Sequence, residues 1–454
     1  MSALRVFSIH RQAMAVVAAG WMALCCVTTR AEQAEFFETD ACGIPAPDAP
    51  VVAPWRTIPL DAQYGGYWVV AGDVDGDGEI ELVSAQNCNR NDDHFTSSVV
   101  VQKLDGSVLW RWGDPKLGRR ELHHDVACQI HDLDNDGANE VILAADRQLI
   151  VLDGRSGKPK DSFPIEQHAS DCVVFADLSG KGWPSEILVK TRYGQIWAYS
   201  ARGRLLWTVK EPGGYRTAHQ PVPVDLDGDG RDEILAGYAA LNSDGSVRWV
   251  FEADQGRKNG GHADCWRVVH LAQRPEDTRL VMTMCGGNAL VMTDGAGQLV
   301  WRKTGYHYES VHVGEIRNDV PGLELVVDID HLPAPPMPLC LFDQQGNPLG
   351  QINTDYTRHH ILVDWNGDGL QEIGSALPRG LFDGRGRRVC SFAIAEGERP
   401  MLMADIDLTG RGARDVLLTT VKQDTYKVYL YRNETAGSPS QKRPAGTGRN
   451  YTLY

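Results

Sequence analysis

Residues 123–157 read HHDVACQIHDLDNDGANEVILAADRQLIVLDGRSG, and their layout decides the fold. A polar stretch carrying His123 and His124 leads into an apolar run that ends at Ile130. An acidic glycine loop follows, Asp132-x-Asp134-x-Asp136-Gly137-x-x-Glu140. A second apolar run opens at Val141 and turns at the polar corner Asp146-Arg147. A third ends at Asp153-Gly154, with a fourth run behind it. Short β-type runs bounded by Gly and Asp turns describe a four-stranded antiparallel meander.

The same unit returns along the chain at a spacing of roughly 40 to 50 residues, which is the spacing of propeller blades. The acidic loop is intact at Asp73-Asp75-Asp77-Glu81, Asp132-Asp134-Asp136-Glu140, Asp225-Asp227-Asp229-Glu233 and Asp364-Asn366-Asp368-Glu372. It is degenerate at Asp177-Ser179-Lys181 and Asp405-Asp407-Thr409, and lost near His270 and Gly314, where the flanking strand pattern survives. Turns before the outer strand repeat too, as in LDGSVLW at Leu104, NSDGSVRW at Asn242 and TDGAGQLVW at Thr293. The expected fold is all-β, a propeller of about eight four-stranded blades, with seven left open. The last unit, from Met401, has only three strand runs, so the run around residues 55–60 is expected to supply its fourth strand and close the ring.

Around the array, residues 1–31 have the form of an export signal: Arg5 and Arg11, then an apolar stretch too short to span a membrane. That implies a secreted or periplasmic chain. Residues 32–60 lead into the propeller at 61–433, and the Ser-, Pro- and Gly-rich residues 434–454 are expected to be disordered. The net charge of −15 argues against nucleic acid as a partner, and nothing in the pattern calls for more than a monomer. Cys128, Cys172 and Cys265 fall at similar places in three first strands and read as buried small hydrophobes, whereas Cys42 and Cys88 could be joined in an exported chain.

Two chemistries fall on opposite faces of the disc. Alternating carboxylates, a Gly at the sharp turn and a closing Glu suit a hard cation, so the intact loops are read as structural calcium sites. The loops leading into first strands, and the corners between second and third strands, lie on the other face. There the leading loops carry His123, His124, His168, His219, His262, His307 and His359, with Tyr215, Arg216 and Arg358 beside them. The corners add His94, Lys190, Arg192, Tyr193 and Tyr238. Imidazole is base or acid near neutrality, Arg clamps a carboxylate, and Tyr can protonate an ether oxygen. These are the parts for removing a proton α to a carboxylate and expelling a β-leaving group. No paired Asp/Glu motif is visible on this face, which disfavours two-carboxylate glycoside hydrolysis.

With these loops, with LDGSVLWRW before HHDV and with ILVKTRYGQIWAY from Ile187, the array resembles the propeller-type polysaccharide lyases, namely the rhamnogalacturonan, ulvan and rhamnose–glucuronate lyases. The resemblance implies a uronate-containing polysaccharide, β-elimination, His as base, Tyr or His as acid, and Arg at the uronate. It implies that His94 with His123 or His124 forms the histidine pair and that Arg192 neutralises the carboxylate. His168 stands where a Tyr would be expected, so Tyr193, Tyr215 and His219 are candidates for the acid. Lys190, His168, Tyr215, Arg216, Tyr238, His262, His307, Arg358 and His359 are then candidates for holding substrate. Two other readings stay open. One is a non-catalytic binding propeller with integrin-like repeats. The other is a quinone-dependent dehydrogenase, suggested by strands ending in Trp.

Overall fold

The computed structural model describes residues 41–42, 49–90, 93–118, 128–251, 260–333, 337–354, 359–408, 415–433 and 450–454. Residues 1–31, His123, His124 and Arg358 lie outside the described residues. Eight sheets of consecutive antiparallel strands succeed one another as blades 1 to 8. In blade 2 the order runs Cys128–His131, Glu140–Ala145, Gln148–Asp153 and Pro159–Pro164, as the meander pattern requires. No helix among the described residues is long and apolar enough to cross a membrane.

The N-terminal segment laces three blades. Ala41–Cys42 and Val51–Val52 pair in parallel with the outer strands of blades 6 and 7. Arg56–Pro59 then pairs antiparallel with Thr425–Tyr431 and completes blade 8. Cys42 thus has its backbone at the edge of blade 6, while Cys88 of blade 1 is buried and its thiol donates to the Leu117 carbonyl at 3.3 Å. Cys128, Cys172 and Cys265 are buried, as their strand positions imply.

The Trp-ended outer strands are latches between blades. The indole Nε1 of Trp110 donates to Gly154 O at 2.6 Å, that of Trp207 to Ser243 O at 2.9 Å, and those of Trp249 and Trp301 to Gly295 O and Gln344 O at 3.0 Å. Each acceptor lies in the Gly turn of the following blade. Gly157 (φ 67°) shows why that turn is small, since a Cβ there would sit 2.4 Å from the Trp110 ring. Packing between blades therefore accounts for the Trp repeat that suggests a quinone enzyme.

The last residues depart from the disorder expected of the tail. Residues 450–454 run into the central channel. Asn450 exchanges hydrogen bonds with the Phe175 backbone at 2.8 and 2.9 Å, and Gln129 donates to Tyr451 O at 2.8 Å. Arg267 and His359 contact the Tyr454 and Leu453 carbonyls, and Leu453 and Tyr454 are buried. Burying a large apolar side chain is worth about 1.5–3 kcal/mol. A chain lacking residues 450–454 is therefore expected to melt several degrees lower. An unchanged melting curve would mean that the tail adds nothing to the hub.

Candidate active site

Antiparallel order puts the acidic loops, between first and second strands, on one face and the corners between second and third strands on the other. Blade 1 is unusual in that its second and third strands, Glu81–Arg90 and Asp93–Lys103, are far longer than those of blade 2. The elongated hairpin carries His94 past blade 2 to blade 3. There His94 Nδ1 lies 2.6 Å from Asp171 Oδ1, and Lys190 Nζ donates to Asp171 Oδ2 at 2.7 Å. Arg192 Nη1 stands 3.4 Å from His94 Nε2. Burial alone would raise the Asp171 carboxyl, but the Lys190 charge and the His94 contact outweigh it and hold it well below the usual carboxylate range.

Lys190 is a candidate for binding substrate from its place in the sequence, and its position in the fold rules that out. It is fully buried, and besides Asp171 it donates to the Thr191 and Arg192 carbonyls at 3.2 and 2.7 Å. It braces the corner that presents Arg192. Tyr215 and Tyr238 are likewise packing residues. Their rings meet at 5.1 Å in a buried cluster, and Tyr238 Oη donates to Cys285 O at 2.6 Å.

Aromatic contacts continue the site from blade 3 into blades 4 and 5. The Arg192 and Arg216 guanidinium groups lie 5.1 and 5.2 Å from the Tyr193 ring centre. Tyr193 in turn lies 5.3 Å from His219 and 4.5 Å from His262. Burial, with the neighbouring His262, holds His219 well below the ordinary histidine range, and Tyr454 of the tail stacks on it at 4.2 Å. Asp264 Oδ1 is 3.5 Å from His219 Nε2 and 3.1 Å from His262 Nε2. His307 Nε2 lies 2.8 Å from Glu309 and 3.5 Å from Asp330. Burial would lower His307, but the Glu309 hydrogen bond and the surrounding carboxylates raise it to about 9.

The face is thus cationic at Arg192 and Arg216 and acidic at Asp264, Glu309 and Asp330. Those acids, and Asp171, are the residues that sequence reasoning missed. They are buried against His or Lys rather than presented as an open pair, so they do not restore two-carboxylate hydrolysis. Two of them carry a signal: in His262-x-Asp264 and His307-x-Glu309 the period of a strand puts both side chains on one face. His219, His262 and Asp264 bring their donor atoms within 4.8 Å of one another, a set that could hold a metal ion and, with two imidazoles, suits zinc better than calcium.

His168 is exposed, in left-handed backbone (φ 68°). His359 is buried against the tail, 5.4 Å from the Tyr454 ring. A cavity of about 530 Å³ in the channel, lined by Gln220, Arg267, His312, His360 and Asp405 beside the tail, includes neither His94 nor Arg192. The clustered ionisable groups mark the chemistry better than this hollow does.

On the opposite face the closing Glu has a structural task. Glu81, Glu140, Glu233 and Glu372 each accept from a loop backbone N–H at 2.8–2.9 Å. Glu186 and Glu324 do so in loops that have lost other acids, at 3.0 and 2.8 Å. Three intact loops also hold a cation of their own. Lys103 Nζ is 3.1 Å from Asp75 and 2.6 Å from Asp77, Lys160 Nζ is 2.6 Å from Glu140, and Arg248 is 2.9 Å from Asp227. In the blade 7 loop no such ion pair occurs among the described residues.

No family model matches the chain. It is 28% identical over 264 residues to the rhamnogalacturonan endolyase YesW of Bacillus subtilis (strain 168), covering 42% of each chain. To the rhamnogalacturonan exolyase YesX of that organism it is 27% identical over 375 residues, covering 66% of this chain and 58% of the other. The chain therefore spans about two-fifths to three-fifths of the length of these curated relatives. The crystal structure of YesW superposes with a TM-score of 0.62 at 21% identity, covering 86% of this chain and 77% of that one. A rhamnogalacturonan lyase of Bacillus licheniformis gives 0.59 at 20% identity, covering 82% and 75%. The chain is similar in sequence to rhamnogalacturonan lyases and has the propeller fold of their solved structures.

Proposed function

We propose that this protein is a polysaccharide lyase that cleaves a uronate linked to a deoxyhexose such as rhamnose by β-elimination. The observation that carries the reading is Arg192 Nη1 standing 3.4 Å from His94 Nε2, a carboxylate clamp beside a base. Arg192 binds the uronate carboxylate and stabilises the charge that develops on it as the C5 proton leaves. His94 takes that proton, with His123 and His124 from the following leading loop as the other candidates. Tyr193, with two guanidinium groups over its ring, is better suited to protonate the leaving oxygen than His219, which is held neutral. The similarity to rhamnogalacturonan lyases supports the choice of substrate, and the signal-like residues 1–31 support action outside the cytoplasm, as a secreted or periplasmic monomer. Purified protein incubated with a panel of uronate polysaccharides is expected to release products absorbing in the ultraviolet as unsaturated uronates. Saturated products alone would mean hydrolysis, and binding without turnover would leave a recognition propeller.

The acidic loops are proposed as calcium sites that hold the blades. The carboxylate sets fit a hard cation, and burial pushes Glu81 and Glu372 up to about 7, a cost that a bound cation would offset. In blades 1, 2 and 4 calcium must displace Lys103, Lys160 or Arg248, so the blade 7 loop should bind tightest. A native-state ligand at 100 times its Kd adds about 2.7 kcal/mol. Excess chelator, and Asp368→Ala more than Asp134→Ala or Asp227→Ala, are expected to lower the melting temperature. A curve that does not move in chelator, with no calcium by elemental analysis, would mean that the internal cations do the work of the metal.

A further inference from the structure

We propose that Asp171 is a positioning residue that fixes the tautomer of His94, leaving Nε2 as the unprotonated ring nitrogen turned toward Arg192. The inference rests on His94 being the base of the proposed lyase. Asp171 is buried, and it divides its two oxygens between two partners. Oδ1 lies 2.6 Å from His94 Nδ1 and Oδ2 accepts from Lys190 Nζ at 2.7 Å. The ammonium is itself anchored, donating also to the Thr191 and Arg192 carbonyls.

An ionised carboxylate can only accept, so Nδ1 must carry a proton, and in a neutral ring Nε2 is then the nitrogen that bears the lone pair. That nitrogen is the one 3.4 Å from Arg192 Nη1. A carboxylate clamped by Arg192 would present its α proton on that side. The segment Lys190–Arg192 therefore does two things at once: it locks Asp171 for the base and holds the backbone of the residue that binds the substrate's charge.

The test is Asp171→Asn. The amide has one carbonyl oxygen, and the anchored Lys190 ammonium will claim it. The NH2 group then faces His94 Nδ1, which must accept, and the ring proton moves to Nε2. Nitrogen NMR of 15N-histidine-labelled full-length protein, with the His94 signals identified as those missing from His94→Gln, reads the tautomer directly. The wild type is expected to carry the proton on Nδ1 and the variant on Nε2. On the polymer cleaved by the wild type, kcat should fall about 10²–10⁴-fold with KM little changed, the pattern of a lost base rather than lost binding.

Adding Lys190→Met frees the Asn carbonyl to face Nδ1, so the double variant should recover the native tautomer and part of the rate. A merely structural ion pair predicts no such recovery. A wild-type His94 protonated on Nε2, or an Asp171→Asn chain at full kcat, would overturn the proposal. An Nδ1–H tautomer in a wild type that cleaves no uronate polymer would remove the lyase reading and still support the positioning of His94 by Asp171.

Discussion

Arg192→Ala is expected to lower kcat/KM on a uronate polymer by at least about 10²–10³-fold, the loss seen when one preorganised donor is removed from a developing oxyanion. The fold should survive, because the Arg192 side chain is only partly buried and its contacts include the Tyr193 ring and His94. The backbone at 192 is held from beneath by Lys190, which the substitution leaves in place. Arg192→Lys should fall between the two, since an ammonium keeps the charge but not the two-pronged geometry. His94→Ala should cost at least the ~10²-fold typical of a lost general base. Circular dichroism and melting curves separate these effects from misfolding. If both variants turn over at the wild-type rate with native melting curves, the chemistry lies elsewhere on the face.

Much of this architecture is legible from the chain because it is periodic. The acidic loops and Gly turns recur, and the three-stranded last unit asks for a fourth strand, which residues Arg56–Pro59 provide. The division into two faces follows from antiparallel order alone. What escapes the sequence depends on depth and length. Lys190 ends a strand, Glu186–Lys190, that is buried throughout, and no pattern in its residues distinguishes a buried ammonium from one that reaches substrate. Asp171 is a lone acid in an irregular stretch, and only its contacts give it a role. The reach of His94 past its neighbouring blade is partly visible, because Glu81 and Asp105 lie farther apart than Glu140 and Asp153. The tail misleads through its average composition. Its closing Tyr451, Leu453 and Tyr454 are largely apolar, unlike the Ser-, Pro- and Gly-rich residues before them, and it is these that pack in the channel.

Deleting residues 32–60 is expected to yield an aggregated or unfolded chain. Arg56–Pro59 is the outer strand of blade 8, in register from Arg56 opposite Leu430 to Pro59 opposite Lys427. Trp55 N and Leu60 N extend the ladder to Leu430 O at 2.7 Å and Tyr426 O at 3.0 Å. Ile58 and Leu60 are buried in the cluster that joins blade 8 to blade 1. Losing each of them forfeits about 1.5–3 kcal/mol, which is a serious fraction of a total folding stability of about 5–15 kcal/mol. The exposed edge is worse than the lost burial. Thr425–Tyr431, TYKVYLY, would offer unpaired N–H and C=O groups on a strand rich in apolar and aromatic residues, a template for another chain. Among the described residues, a shorter deletion of residues 32–49 removes the pairing with blade 6, and that chain should remain soluble with a modest fall in melting temperature. The contrast between the two truncations isolates closure of the ring from lacing of its outer edge. A soluble, monomeric chain beginning at Asp61 with the full-length melting curve would show that blade 8 closes without this strand.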